Sequence, residues 1–174
     1  MTTLSIRPAR LADLAAITAL YADAVRHGTA SFENDPPDLA EMRRRFESLE
    51  AGGFPYLVAE ASGTVAGFAY AGPYRARPAY RWTVEDSIYV AADAQRRGIG
   101  RALMDALIAA ATARGFRQMI AVIGDSDQPG SLALHAAAGF RTIGTFASVG
   151  FKFERWLDSV LMQRALGSGA ATLP

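Results

Sequence analysis

The chain has 174 residues, 51% of them hydrophobic, with 18 basic and 17 acidic side chains, two histidines and no cysteine. That length suits one domain with a sizeable core, and the near balance of charge gives no global pull towards nucleic acid or an anionic membrane. The missing cysteines exclude disulfides and thiolate catalysis, and two histidines alone make a metal site improbable, so no metal is expected.

No apolar run reaches membrane-spanning length, and Met1-TTLSIRPAR does not read as a signal peptide, so the expectation is a soluble cytoplasmic protein. A short strand is expected near Leu4 to Arg7. Leu14, Ile17, Tyr21 and Val25 then recur at helical spacing until Gly28. Asp35 before Pro36 and Pro37 reads as a helix start, and Leu39, Met42, Phe46 and Leu49 form its apolar stripe. Strands follow at Phe54-PYLVAE and Thr64-VAGFAY around a Ser62-Gly63 turn. Gly72-PYRARPAY reads as a loop, and Thr83 to Val90 as a strand. Leu103, Leu107 and Ala111 share one face of a helix that ends at Gly115. Gln118-MIAVIG reads as a buried strand, and Pro129 to Ala138 as a short helix with Asp127 as its candidate cap. Two last strands are expected near Phe140 to Phe146 and Ser159 to Leu166. No linker or repeat interrupts residues 1–166, which read as one domain; the small-residue tail 167–174 is expected to be disordered.

The informative stretch is Gln95-Arg96-Arg97-Gly98-Ile99-Gly100-Arg101, between a strand and a helix. Free N–H groups and the positive end of a helix dipole make such a turn a phosphate site. A Walker loop needs a lysine that is absent here, and a dinucleotide fingerprint needs a third glycine where Leu103 stands. The remaining phosphate motif is Gln/Arg-x-x-Gly-x-Gly/Ala, the pyrophosphate loop of acetyltransferases, which this stretch matches in full. A plain surface turn with solvated arginines is the other reading.

The order of elements, Ile6-RPARLADL and Ala137-AGF resemble the GNAT acetyltransferase superfamily. Thr29-ASFE, Tyr70-AGPYRARPAYRWTVEDSIYV, Ala121-VIG, Leu134-HAAAGF and Val149-GFKFERWLDSVLMQ resemble its phosphinothricin and methionine-sulfoximine N-acetyltransferases. The resemblance covers most of the chain. It implies an α/β (α+β) GNAT fold: a mixed, mostly antiparallel sheet of about seven strands, splayed at its centre and flanked by about four helices. It also implies transfer of an acetyl group from acetyl-CoA to the α-amino group of a small amino acid, and a homodimer, with the last strands as a candidate interface. Two positions depart from the pattern. Gln128 stands where many members carry Asn, and Glu154 where this family often has Gly.

By that resemblance, backbone groups of Ile88, Tyr89 and Val90 meet the pantetheine arm. The loop from Gln95 through Arg96, Arg97, Gly98, Ile99 and Gly100 to Arg101 meets the pyrophosphate, and Gln128 and Ser131 lie near CoA. Glu85 aligns with the catalytic glutamate as general base; a strand carboxylate salt-bridged to Arg75 or Arg81 is the alternative. His135 stands where many members carry a thiolate-protonating tyrosine; it could be that acid, an assistant to Glu85, or a packing residue. Substrate contacts are expected at Phe32, Arg75, Ala76, Arg77, Glu85, Asp86, Ser87 and Lys152. The arginine pair would clamp a carboxylate. Because Glu85 and Asp86 are adjacent on a strand, only one of them can easily face the cleft. Two other readings stay open: acetylation of another amine, such as a protein N-terminus or a polyamine, and a non-catalytic acyl-CoA sensor.

Overall fold

The computed structural model describes residues 4–174. Its elements in chain order are β1 (Leu4–Pro8), α1 (Leu14–His27), α2 (Leu39–Ala51), β2 (Tyr56–Ala61), β3 (Thr64–Pro73), β4 (Thr83–Val90), α3 (Ile99–Ala113), β5 (Gln118–Gly124), α4 (Pro129–Ala137), β6 (Arg141–Lys152) and β7 (Arg155–Ala165). All the strands join one seven-stranded sheet in the order β1-β2-β3-β4-β5-β7-β6. Every neighbouring pair is antiparallel except β4 and β5.

The apolar stripes decide which helix covers which face. Leu14, Ile17, Tyr21 and Val25 of α1, with Met42 and Phe46 of α2, pack on Tyr56, Val58 and Phe68. On the opposite face Ile99, Leu103, Met104, Leu107 and Ala111 of α3 pack on Val84, Met119 and Ala121. β4 lies between the two cores and alternates: Val84 and Asp86 point to the α3 side, Tyr89 to the α1 side. No helix among the described residues is long and apolar enough to cross a membrane.

Several boundaries differ from those expected. Asp38, not Asp35, caps α2, its carboxylate accepting from the Glu41 N–H at 2.8 Å. Gln128 precedes α4 without a side-chain cap, and Asp127 instead donates its backbone N–H to the Asp125 carboxylate. β6 and β7 run further than expected and form a long hairpin. Its outer face is apolar, so the polar alternation that marks a half-solvated strand is missing from the sequence. The hairpin turns at Phe153 and Glu154, which both hold positive φ, 51° and 57°; two-residue turns of that hand usually carry Asn-Gly. The tail beyond β7 is placed as turns, and the Arg117 guanidinium donates to Thr172 Oγ1 and the Leu173 carbonyl.

Candidate active site

β4 and β5 pair from Thr83–Gln118 to Asp86–Ala121, and then part. β4 stays bonded to β3 as far as Val90, and β5 to β7 as far as Gly124. One edge of residues 87–90 therefore faces a gap rather than a strand, and its backbone groups are available to a ligand. This is the splay the resemblance implied.

Two cavities meet at the gap. The larger, about 510 Å³, is lined by Val90, Gln95, Arg96, Gly98, Gly100, Arg101 and Leu134, among others. The smaller, about 300 Å³, is lined by Tyr21, Ser31, Phe32, Tyr70, Glu85, Asp86, Ser87 and His135, among others. Ala30, Ile88, Tyr89, Gln128 and Ser131 line both, so the cavities adjoin along the splayed part of β4.

The larger cavity ends at the start of α3. Gly98 holds φ +81° immediately before the helix, and a Cβ there would meet nothing within 4 Å. The position therefore needs glycine for its backbone angle, and it faces open space. The first helical bond is the Ala102 N–H to the Gly98 carbonyl, so the N–H groups of Ile99, Gly100 and Arg101 precede the ladder. No acidic residue stands in the first turn to compete for them. The arginines divide. Arg96 lines the cavity, whereas Arg97 is exposed outside it. Arg101 lines it too, but its guanidinium is held by Asp105 at 2.7 Å and by the Ala137 carbonyl at 3.1 Å. Ile99 brings its backbone, while its side chain lies in the core.

In the smaller cavity the half-buried Glu85 carboxyl is raised above the ordinary glutamate range. Burial is the main cause and the Asp86 charge adds to it, while Arg75 opposes it. Asp86 lies on the other face of β4, buried against His135. His135 Nε2 is 3.0 Å from Asp86 Oδ2, and Nδ1 is 2.8 Å from the Ser131 carbonyl. Burial lowers the affinity of the His135 ring for a proton, but the Asp86 hydrogen bond and charge, with the Ser131 carbonyl, outweigh it and raise the pKa.

The loop between α1 and α2 walls the chamber. Phe32 lies against Gly150 and Gly124, and a Cβ on either would collide with its ring. Gln128 Nε2 donates to Thr29 Oγ1 at 2.8 Å. Lys152, expected among the substrate contacts, lines neither cavity; it is buried and its ammonium donates to the Gly28 and Ser31 carbonyls at 3.0 and 2.8 Å. Burial lowers its pKa. Arg75, Ala76 and Arg77 are exposed on the loop before β4 and line neither cavity. Sequence reasoning missed Tyr21 and Tyr70 as chamber residues. Tyr21 repeats at core spacing, and the hydroxyl that reaches Ser31 and Glu33 at 3.0 Å leaves no mark on that pattern.

A family model described as an acetyltransferase (GNAT) domain matches residues 6–161. The chain is 55% identical over 170 residues to the phosphinothricin N-acetyltransferase of Alcaligenes faecalis, covering 98% of this chain and 86% of that protein. It is 43% identical over 160 residues to the L-methionine sulfoximine/L-methionine sulfone acetyltransferase of Pseudomonas aeruginosa, covering 91% and 92%. Among solved structures, the phosphinothricin acetyltransferase of Sinorhizobium meliloti in complex with AcCoA superposes with a TM-score of 0.96 at 50% identity, covering 99% of this chain and 93% of that one.

Proposed function

The chain belongs to the GNAT acetyltransferase family, and from that premise we propose that it moves the acetyl group of acetyl-CoA to the α-amino group of a small amino acid or analogue. Phosphinothricin, methionine sulfoximine and methionine sulfone define the substrate class, since the relatives act on these compounds. The observation that carries the reading is the junction of the two cavities at Ile88 and Tyr89. It lets a long thiol carrier and a small amine approach one another from opposite ends.

In this reading the N–H groups before and within the first turn of α3 hold the pyrophosphate, with the positive end of the helix dipole. Free backbone groups of residues 87–90 bind the pantetheine arm, and one N–H polarises the thioester carbonyl. Gln128 and Ser131 close the far side of the gap. Glu85, raised by burial, takes the amine's proton directly or through water. Transfer is direct, because the chain has no cysteine to carry the acetyl group. The substrate carboxylate is read at the mouth, where Arg75 is near enough for its charge to act on Glu85; Arg77 stands two residues on. The small chamber favours an amino acid over a protein N-terminus.

The protein works as a cytoplasmic homodimer. Ile143, Phe146, Val149, Phe151, Phe153 and Trp156 are each more than half exposed along the β6–β7 hairpin. An apolar face of that extent on an edge hairpin is what a self-complementary interface covers.

Thiol release from acetyl-CoA, measured against phosphinothricin, methionine sulfoximine, methionine sulfone, the common amino acids, spermidine and a short peptide, tests the reaction. Release with the amino-acid analogues is expected. Release with spermidine or peptide alone would overturn the substrate class. Silence throughout, with acetyl-CoA still bound, would favour a sensor.

A further inference from the structure

Tyr21 of α1 and Ser31 of the α1–α2 loop both line the smaller cavity, which Glu85 lines too. Both are buried, Tyr21 to 6% and Ser31 to 7% exposure. Their hydroxyls belong to a closed ring of hydrogen bonds with a fixed direction. Glu33 is ion-paired to the Arg45 guanidinium at 2.6 Å, and an ionised carboxylate can only accept. The Tyr21 hydroxyl, 3.0 Å from Glu33 Oε1, therefore donates its hydrogen there. The Ser31 oxygen accepts the Glu33 backbone N–H at 3.2 Å. It lies 3.0 Å from the Tyr21 oxygen, whose hydrogen is already committed, so Ser31 donates to Tyr21. Every hydrogen of the ring is then used. Each hydroxyl oxygen keeps a lone pair, so this stretch of wall can accept a hydrogen bond and cannot give one.

An acceptor-only wall selects a donor. Sulfone and phosphinate oxygens can only accept, and so can an α-carboxylate. Methionine sulfoximine alone adds a side-chain N–H, so the donor common to the whole substrate class is the α-ammonium. We propose that the Tyr21 and Ser31 hydroxyls bind the substrate's α-nitrogen and turn it inward, towards Glu85 and the open edge of β4, with the α-carboxylate left towards the mouth. This rests on the acetyltransferase reading above, and it makes Tyr21 a specificity-determining residue of that reaction. A substrate turned the other way would set its carboxylate against the lone pairs of Tyr21 and Ser31, without a hydrogen bond from either.

The placement agrees. Glu85, Ser87 and Tyr89 alternate onto one face of β4, and the Tyr21 ring meets the Tyr89 ring edge-on, with centroids 5.1 Å apart. Tyr21 thus stands beside the point where the two cavities adjoin. Once Glu85 has taken one proton, the amine keeps two N–H groups for two acceptors, and its lone pair is free for the thioester carbon. Burial raises the Tyr21 phenol pKa and Glu33 adds to it, against the Ser31 hydrogen bond, so the hydroxyl keeps its hydrogen.

The test sets two ligands against two forms of the full chain, by thiol release from acetyl-CoA. Methionine sulfone is the substrate. Its inhibitor is 4-(methylsulfonyl)butanoate, the same molecule without the amine. Tyr21→Phe removes one oxygen and keeps the ring on Tyr89. It should raise the KM for methionine sulfone by about 10-fold, while the inhibition constant of the amine-free analogue and the KM for acetyl-CoA stay within about twofold. A loop that was merely loosened would weaken both ligands alike. Ser31→Ala keeps the backbone carbonyl that Lys152 holds; it should show the same selective loss, and it decides the matter should Tyr21→Phe fail to fold. Equal losses for the two ligands, or no loss for methionine sulfone, overturn the inference and leave the acetyltransferase reading in place. A wild type that releases no thiol with any amine overturns that reading, and the inference with it.

Discussion

Glu85 is the base of the proposed reaction, and its half-buried place on β4 fits that role. Burial and the neighbouring Asp86 charge raise its pKa, so the carboxylate is a stronger base than a solvated one. In the proposed reaction the ionised form is the active one. Turnover should therefore fall as pH drops through a value above the ordinary glutamate range, and a pH–rate profile of kcat/KM reads that limb directly. Glu85→Gln should lower kcat by about 100-fold at neutral pH and abolish the acid limb; wild-type rates across the profile would remove it as the base. His135 has the opposite sign in stability. Its raised pKa means that its contribution is full below the ordinary histidine value and is lost as pH rises through the folded value. Thermal melts of the wild type and His135→Gln should thus converge as the solution is made alkaline.

The α1–α2 loop and the β6–β7 hairpin act as one wall. Lys152 ties the loop through two carbonyls, and Phe32 fits only because residues 124 and 150 lack side chains. Lys152→Met would leave those carbonyls unpaired. It should cost about 1–3 kcal/mol and raise the KM for the amino acid more than that for acetyl-CoA, as urea melts and steady-state kinetics would report. At the hairpin turn Glu154 holds a left-handed angle, which explains the family's preference for glycine there. Glu154→Gly should be stabilising by up to about 1 kcal/mol, seen as a rise of a few degrees in Tm. Helices and central strands were legible in the sequence because apolar period and turn residues agreed, from Leu14 to Val25 and from Thr83 to Val90. The phosphate loop was legible for the same reason. The hairpin was not, because its exposed side chains include Ile143, Phe146, Val149 and Phe151 and so give no polar alternation. Lys152 was misjudged for a related reason: a charge in a sequence reads as exposed, and only tertiary contacts reveal that it is buried and bonded.

At the scale of the molecule, two cavities meet where the sheet opens. The smaller is lined by Glu85, Asp86 and His135, from both faces of β4, and the larger by the glycine loop before α3. The splay of β4 from β5 is the passage between them. In the proposed homodimer the exposed apolar hairpin is the interface. Phe151→Glu with Trp156→Glu should shift the protein from dimer to monomer in sedimentation experiments; a monomeric wild type would remove that interface. Direct transfer requires donor and acceptor to occupy the joined cavities together. Initial rates of thiol release, with acetyl-CoA and methionine sulfoximine varied against each other, test it most directly. Double-reciprocal lines that intersect are expected from a ternary complex. Parallel lines, the signature of an acetylated protein intermediate, would contradict direct transfer across the splay.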